Sequence, residues 1–389
     1  MVPIITNMGD DDKYKFTMQH FVFHRYPEVE VEVEFKLRNE GIDLSPYVDQ
    51  ILEQLCSLER LRLKPEEKIF FKNQGIFSDT YLDFLEHYRF NPQEISVTRN
   101  PFGLKFKGKW VNVILWEVKA LAIINQVYFD NVYPMTTARM AEGDRRLKAK
   151  ISYIRSLEDF GFKFIDFGTR RRRSAAWQLD VVSTLAQMIP NNFVGTSNMN
   201  LARLLNIPAV GTMAHEYLQA FQVLAPLYKF QKQALQEWAD FYKGNLLIAL
   251  TDVVGMDAFL RDFDGNLSRL YDGGRQDSGD PYEWGYKLIN HYKSFGINPL
   301  AKQALWSDSL NIPKAYNIYK EFHEQIQVLP FGIGTDITND FEEPALNIVI
   351  KMTSCQGLPV AKISDSKGKG MCKDEHYLHH LAKTYNIEL

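Results

Sequence analysis

The sequence predicts an α/β protein: a barrel of parallel strands with helical crossovers, joined to a second domain of α+β character. Three observations predict it. From about residue 160 a short apolar run ends in a polar, glycine-bearing cluster and leads into a helical pattern, and this cycle recurs seven times. No strong linker interrupts the series, and seven successive units favour a closed barrel over an open sheet. The first third is written differently, and 389 residues with 45% hydrophobic and 24% charged content exceed what one small core needs, so two domains are expected.

In chain order, Val29-Glu30-Val31-Glu32-Val33-Glu34-Phe35 alternates with the period of a strand. Phe102 to Val113 reads as a hairpin because Gly108-Lys109 sits between apolar runs. A long helical pattern starts near Leu115. The seven run ends follow: Phe164 to Arg170, Asn192 to Asn198, Ala209 to His215, Leu247 to Asp252, Tyr271 to Asp280, Leu305 to Asp308 and Pro330 to Asp336. In a barrel, every polar cluster of this kind falls on the C-terminal rim, where such folds build active sites. The chain closes with a second hairpin, Ala345 to Thr353 and Pro359 to Ile363 turning at Gln356-Gly357, and a Gly/Lys-rich loop, Ser366-Lys367-Gly368-Lys369-Gly370. The expected division is 1–135 for the α+β domain, rejoined by 345–389, and 136–344 for the barrel.

Composition narrows the function. A net charge of -3 argues against a nucleic-acid partner, which selects a basic face, and for small molecules. Three cysteines without a C-x-x-C encode neither a disulfide framework nor a zinc knuckle, as expected in the cytoplasm. The first fifteen residues carry Asp10-Asp11-Asp12 and no secretory core. The most apolar windows, near Val111–Tyr128 and Leu246–Leu260, are broken by Glu117, Lys119, Asp252 and Asp257, so no membrane span is expected.

The rim clusters suggest anion chemistry. Arg170-Arg171-Arg172-Arg173 follows a strand and precedes a helix starting near Ser174. A solvated basic turn is the plain reading of four arginines, but guanidinium and helix N-terminus together favour an anion. Arg275-Gln276-Asp277-Ser278-Gly279-Asp280 puts a guanidinium and two carboxylates on one turn ending at Pro281. A helix N-cap accounts for Asp280 alone, whereas Asp277 and Asp280 beside a phosphate rim suggest Mg²⁺. Asp252 and Asp308 stand at the same level on other strands. Gly332-Ile333-Gly334-Thr335 follows the last run, where barrels commonly hold phosphate on backbone amides. His215 is one of nine histidines; among arginines and carboxylates at a rim, a nucleophile or proton-transfer role competes with a structural one.

In their order and spacing these clusters resemble the bacterial-type nicotinate phosphoribosyltransferases over essentially the whole chain. The resemblance is carried by Asp12-Lys13-Tyr14-Lys15-Phe16-Thr17-Met18, Phe167-Gly168-Thr169-Arg170-Arg171, Gly195-Thr196-Ser197-Asn198, Gly211-Thr212-Met213-Ala214-His215-Glu216, Leu250-Thr251-Asp252, Arg275 to Pro281, Ser307-Asp308 and Phe331 to Thr335. It implies the type II phosphoribosyltransferase fold, an irregular α/β barrel with a sandwich-like α+β domain made from both termini. It also implies the reaction of nicotinate with phosphoribosyl pyrophosphate to give nicotinate mononucleotide and pyrophosphate, coupled to ATP, with Mg²⁺ and no tightly bound organic cofactor. By resemblance His215 is transiently phosphorylated, Arg275 and Asp277 are catalytic, and Asp277 and Asp280 hold the metal. Phe167, Thr169, Arg170, Arg171, Thr196, Ser197, Asp252, Ser278, Gly279, Asp280, Ser307, Asp308, Gly332, Gly334 and Thr335 bind substrates. A homodimer with shared sites is implied, Tyr14 reaching in from the partner chain.

Two departures stand out: Asp11 where the family usually has Thr, and Gly274 where a larger apolar residue is common. Two rivals are a nicotinamide acceptor and a non-catalytic phosphate-binding barrel. The second guanidinium at Arg171 favours the acid, and a pure binder has little use for His215.

Overall fold

The computed structural model describes residues 2–366 and 370–389; Lys367-Gly368-Lys369 of the Gly/Lys-rich loop lie outside the described residues. The strands in chain order are β1 (Glu30–Leu37), β2 (Ile95–Arg99), β3 (Phe102–Lys109), β4 (Phe164–Asp166), β5 (Phe193–Thr196), β6 (Ile248–Leu250), β7 (Gly273–Gln276), β8 (Gln303–Trp306), β9 (Gln327–Val328), β10 (Phe331–Ile333), β11 (Ile348–Cys355) and β12 (Leu358–Pro359). The chain forms two compact units. Met1–Glu28, Val33–Gly211 and Ile333–Ile350 make the first; Val29–Glu32, Thr212–Gly332 and Lys351–Leu389 make the second.

A five-stranded sheet has the order β12-β11-β1-β3-β2. The alternation read at Val29–Phe35 is β1, with Val31 and Val33 buried. The hairpin expected at Phe102–Val113 is displaced. Phe102–Lys109 is a single strand paired with Ile95–Arg99, the turn lies at Asn100-Pro101, and Trp110–Val113 is helical. Pro101 has no amide to give a ladder, so the chain turns there rather than at Gly108. At the C-terminal hairpin the turn is at Gln356-Gly357, with φ of 50° and 74°. Two left-handed residues are what a two-residue hairpin demands, and glycine supplies one of them without strain.

The core of the first unit is the helix Trp116–Val132, in which Trp116, Val118, Leu121 and Ile124 are fully buried. The stretch Trp110–Val132 has the length and apolarity of a membrane span, yet 89% of its window is buried inside the protein. Its charges are neutralised in place: Lys119 Nζ lies 2.5 Å from Asp11, and Glu117 pairs with Lys15. β4 and β5 run parallel in a three-stranded sheet of order β10-β4-β5.

In the second unit β6-β7-β8-β9 form a parallel sheet in register Ile248↔Gly273↔Gln303↔Gln327. A Cβ on Gly273 would stand 1.9 Å from the Gln303 carbonyl oxygen, so only glycine admits this strand spacing. Six of the seven predicted runs carry a strand. The third, Ala209–His215, is reduced to one parallel bridge, Thr196↔Ala209. Pro208 accepts from Thr196 N at 3.1 Å but has no amide of its own to extend the ladder.

Candidate active site

In the second unit the rim turns after β6 and β7 and the N-terminus of the helix His215–Leu224 bring four polar side chains together. His215 opens its helix and is 3% exposed. Its Nε2 lies 2.8 Å from Asp252 Oδ1 and 2.8 Å from Lys362 Nζ, while Nδ1 faces Asp277 Oδ2 at 3.7 Å. The other oxygen of Asp252 accepts from Lys362 Nζ at 2.7 Å and from Ser278 Oγ at 2.6 Å. Asp277 Oδ1 accepts from Ser307 Oγ at 3.2 Å. Arg275, buried at 7% exposure, has a buried Nε without an acceptor among the described residues and lends its charge to Asp277.

Burial, and then the Lys362 cation, push the His215 imidazole down to about 4, so the ring is neutral near pH 7. Burial alone would raise Asp252, but His215 and Lys362 hold it well below the usual carboxylate range. Asp277 is likewise held low, against burial, by Arg275 and His215. The result is a neutral imidazole flanked by two ionised carboxylates. His215, Asp252 and Asp277 offer ligand atoms within 4.8 Å of one another.

The expected partner of Asp277 in metal binding is engaged elsewhere. Asp280 is exposed, and its Oδ1 accepts from Tyr282 N at 2.9 Å and Glu283 N at 2.8 Å, capping the helix Pro281–Ser294. Gly279, at φ 78°, donates its amide to Ser366 Oγ. Asp308 follows β8 and accepts from Ser309. Lys362 carried no sequence signal beyond its place as the one charge in Val360-Ala361-Lys362-Ile363. A lone lysine within a short apolar run is the signal it carries.

The remaining predicted residues lie mostly in the first unit. All four arginines have partners in the fold. Arg172 is 1% exposed and grips both oxygens of Asp10 at 2.6 and 2.7 Å; Arg173 stacks on Phe129 and Phe341. Arg171, which with its neighbours was expected to favour the substrate carboxylate, donates to the Ile348 carbonyl at 3.0 Å and to Asn347. Arg170, half-buried like Arg171, has NH1 3.6 Å from Glu117. Its charge acts on Tyr14 and Asp12, so these three groups share one electrostatic neighbourhood.

Thr169 takes hydrogen bonds from Gln178 and Asn198, Thr196 donates to Asp166 at 2.8 Å, and Ser197 donates to Asp12 at 2.7 Å. Phe167 is half-buried, and its carbonyl oxygen would lie 3.0 Å from a Cβ on Gly334. Thr335 starts the one-turn helix Thr335–Thr338, and Gly332 is buried within β10.

Residues 162–389 match the nicotinate phosphoribosyltransferase (NAPRTase) family, and residues 10–125 match the N-terminal domain of that family. The chain belongs to the nicotinate phosphoribosyltransferase family. Its similarity to individual members of the family is spread over the full length. The nicotinate phosphoribosyltransferase of Cupriavidus necator is 43% identical over 391 residues, covering 99% of each chain. That of Burkholderia mallei is 44% identical, covering 99% of this chain and 97% of the relative. The crystal structure of the Vibrio cholerae enzyme superposes with a TM-score of 0.94 at 36% identity, over 100% of this chain and 95% of the other. A putative nicotinate phosphoribosyltransferase from Saccharomyces cerevisiae gives 0.89 at 28% identity, over 100% of both. The fold is therefore the irregular α/β barrel and α+β domain of the type II phosphoribosyltransferases. Family membership makes phosphoribosyl transfer to nicotinate, a step of NAD salvage, the activity of the chain, and it does not favour the nicotinamide acceptor.

Proposed function

We propose that this chain couples ATP hydrolysis to the joining of nicotinate and phosphoribosyl pyrophosphate through a phosphohistidine at His215. The observation that carries the proposal is the asymmetry of the ring: Nε2 is held by Asp252 at 2.8 Å, while Nδ1 faces Asp277 at 3.7 Å. With the Nε2 proton directed to Asp252, Nδ1 keeps its lone pair. It attacks the γ-phosphorus of ATP, the bond to the bridging oxygen breaks, and ADP leaves with the electron pair. The Nε2 proton stays shared with Asp252, which stabilises the positive ring.

In the transfer step the bond from ribose C1 to pyrophosphate loosens as the pyridine nitrogen of nicotinate attacks. Negative charge grows on the leaving group, and Arg275, whose buried Nε lacks an acceptor among the described residues, is suited to receive it. Water then hydrolyses the phosphohistidine.

Mg²⁺ fits the donor set through Asp277, whose carboxylate takes one hydroxyl bond from Ser307, and not through Asp252, whose two oxygens are occupied by His215, Lys362 and Ser278. Bound there with substrate phosphates and water, the ion would neutralise phosphate charge. Asp280 belongs to the helix cap in this reading.

For nicotinate we assign Arg170 to the carboxylate and Phe167 to the ring, with Tyr14 contributed by the second subunit of a cytoplasmic homodimer. The pairing order of β11 beside β1 supports placing Ile348–Cys355 in the sheet of the N-terminal α+β domain, whereas the compact units group Lys351–Leu389 with Thr212–Gly332 and 136–211 with the N-terminal part.

The test is turnover of nicotinate and phosphoribosyl pyrophosphate with Mg²⁺, with and without ATP, followed by chromatography of the mononucleotide. ATP should stimulate the parent, and His215→Ala should keep slow ATP-independent transfer and lose the stimulation. Stimulation that survives in His215→Ala would refute the phosphohistidine.

A further inference from the structure

Lys362 belongs to none of the clusters that the motifs mark, yet it is the only side chain that touches both His215 and Asp252 with a full positive charge among the described residues. It is 4% exposed. A buried ammonium costs several kcal/mol unless its partners repay it, so its retention there needs a reason.

Its position is set by backbone and side-chain anchors on both sides. Lys362 exchanges both backbone hydrogen bonds with Met371, at 3.0 and 3.1 Å. Ile363 N donates to the Val253 carbonyl at 2.9 Å. Asp365 accepts from Met256 N at 3.0 and 3.2 Å, and Ser366 from Gly279 N at 3.0 Å. The segment therefore follows the rim turns after β6 and β7, the two turns that carry Asp252 and Asp277. Gly255 and Gly279, at φ 83° and 78°, leave room for it: a Cβ on either would come within 2.9 to 3.1 Å of Asp365.

The charge balance of the pocket gives the reason. Asp252 and Asp277 bring two negative charges, Arg275 and Lys362 two positive ones, and His215 none. Phosphorylation of His215 forms the N–P bond, breaks the Pγ–O bond and releases ADP with its electron pair. The phosphoryl oxygens that remain bring two negative charges, and the ring gains one positive charge. Without Lys362, an uncompensated Asp252 would face an incoming triphosphate.

We infer that Lys362 is a positioning residue for the phosphoryl step: its ammonium donates to one oxygen of Asp252, whose other oxygen takes the Nε2 proton of His215 so that Nδ1 stays presented, and it supplies the countercharge that lets a phosphate enter beside two carboxylates. The inference rests on the phosphohistidine reading above and deepens it.

The test compares the parent, Lys362→Met and Lys362→Ala. Each is mixed with ATP labelled at the γ-phosphate, quenched in base, and counted for acid-labile label on protein; thermal unfolding serves as the control for an intact fold. Lys362→Met preserves length without charge and should lower the labelling rate on the order of 100-fold while the melting temperature stays near that of the parent. Lys362→Ala should recover labelling with added n-propylammonium but not with n-butanol, a split that a purely space-filling lysine would not produce. Parental labelling rates in Lys362→Met, or equal rescue by the alcohol, overturn the inference alone. A parent that takes no label overturns the phosphohistidine reading and this inference with it.

Discussion

The two carboxylates of the Asp277-Ser278-Gly279-Asp280 turn have different employments, and single substitutions separate them. Asp277→Asn removes the carboxylate that, among the described residues, faces His215 Nδ1 and should raise the Mg²⁺ concentration needed for half-maximal rate steeply. Asp280→Asn keeps a capping oxygen but loses the negative charge at the helix N-terminus, and should cost about 0.3–1 kcal/mol in unfolding free energy with the Mg²⁺ titration unchanged. Matching titrations for the two variants would remove Asp277 from metal binding. The departure at Asp11 also resolves at this scale, since Lys119 at 2.5 Å neutralises the carboxylate that replaces the usual threonine. His20 provides a pH-dependent case. Burial, and then the neighbouring His24, push its imidazole from 6.5 down to about 3. The unfolded chain takes up that proton below pH 6.5 and the folded chain does not, so the parent loses stability as pH falls from 6.5 toward 3. His20→Gln cannot titrate. Its deficit in melting temperature relative to the parent should be largest at pH 7.5 and shrink by pH 5; a constant deficit would contradict the assignment.

At the scale of the element, β7 shows how a strand is selected for closeness. Gly273 and Gly274 look equivalent in sequence, but the first would drive a Cβ to 1.9 Å from the Gln303 carbonyl, while the second meets Thr251, Leu288 and Trp284 at 3.3 to 3.5 Å. Gly273→Ala should therefore destabilise by about 3 kcal/mol or more and displace the turn carrying Asp277, while Gly274→Ala should cost less than about 1 kcal/mol in chemical denaturation. The Trp284 indole, donating to Thr251 Oγ1 at 2.8 Å, fills space beside Gly274 that the larger residue common in the family would claim. Equal stability of the two variants would show that strand spacing does not limit this sheet.

The whole molecule is proposed to work as a dimer in which Tyr14 of one chain serves the site of the other. Neither Tyr14→Ala nor His215→Ala chains alone should show full ATP-coupled turnover. Mixed and allowed to exchange subunits, they should regain activity, because one site in each heterodimer then has both residues intact. Mixtures no more active than the average of their components would assign Tyr14 to its own chain. The apolar helix Trp116–Val132 also takes its meaning at this scale: with Glu117 and Lys119 paired internally, it is the centre of a unit.

Periodicity and turn chemistry were sufficient for the strand-and-rim pattern, since a run of four apolar residues followed by glycine and polar groups has few other uses. They were sufficient as well for the Gln356-Gly357 hairpin, and for placing His215, Asp252 and Asp277 at successive rims. Local patterns could not separate a carboxylate that caps a helix from one that faces a site, as with Asp280, because both sit at the same position of a strand–turn–helix unit. Nor could they rank four consecutive arginines. Arg171, Arg172 and Arg173 are claimed by Ile348, Asp10 and Phe341, partners more than 160 positions away in the chain. Lys362 was invisible for the same reason: its partners His215 and Asp252 lie 147 and 110 residues earlier. Chain-local chemistry determines which elements form and which groups stand at their ends. Only tertiary packing decides which of those groups are spent on one another and which are left to meet a substrate.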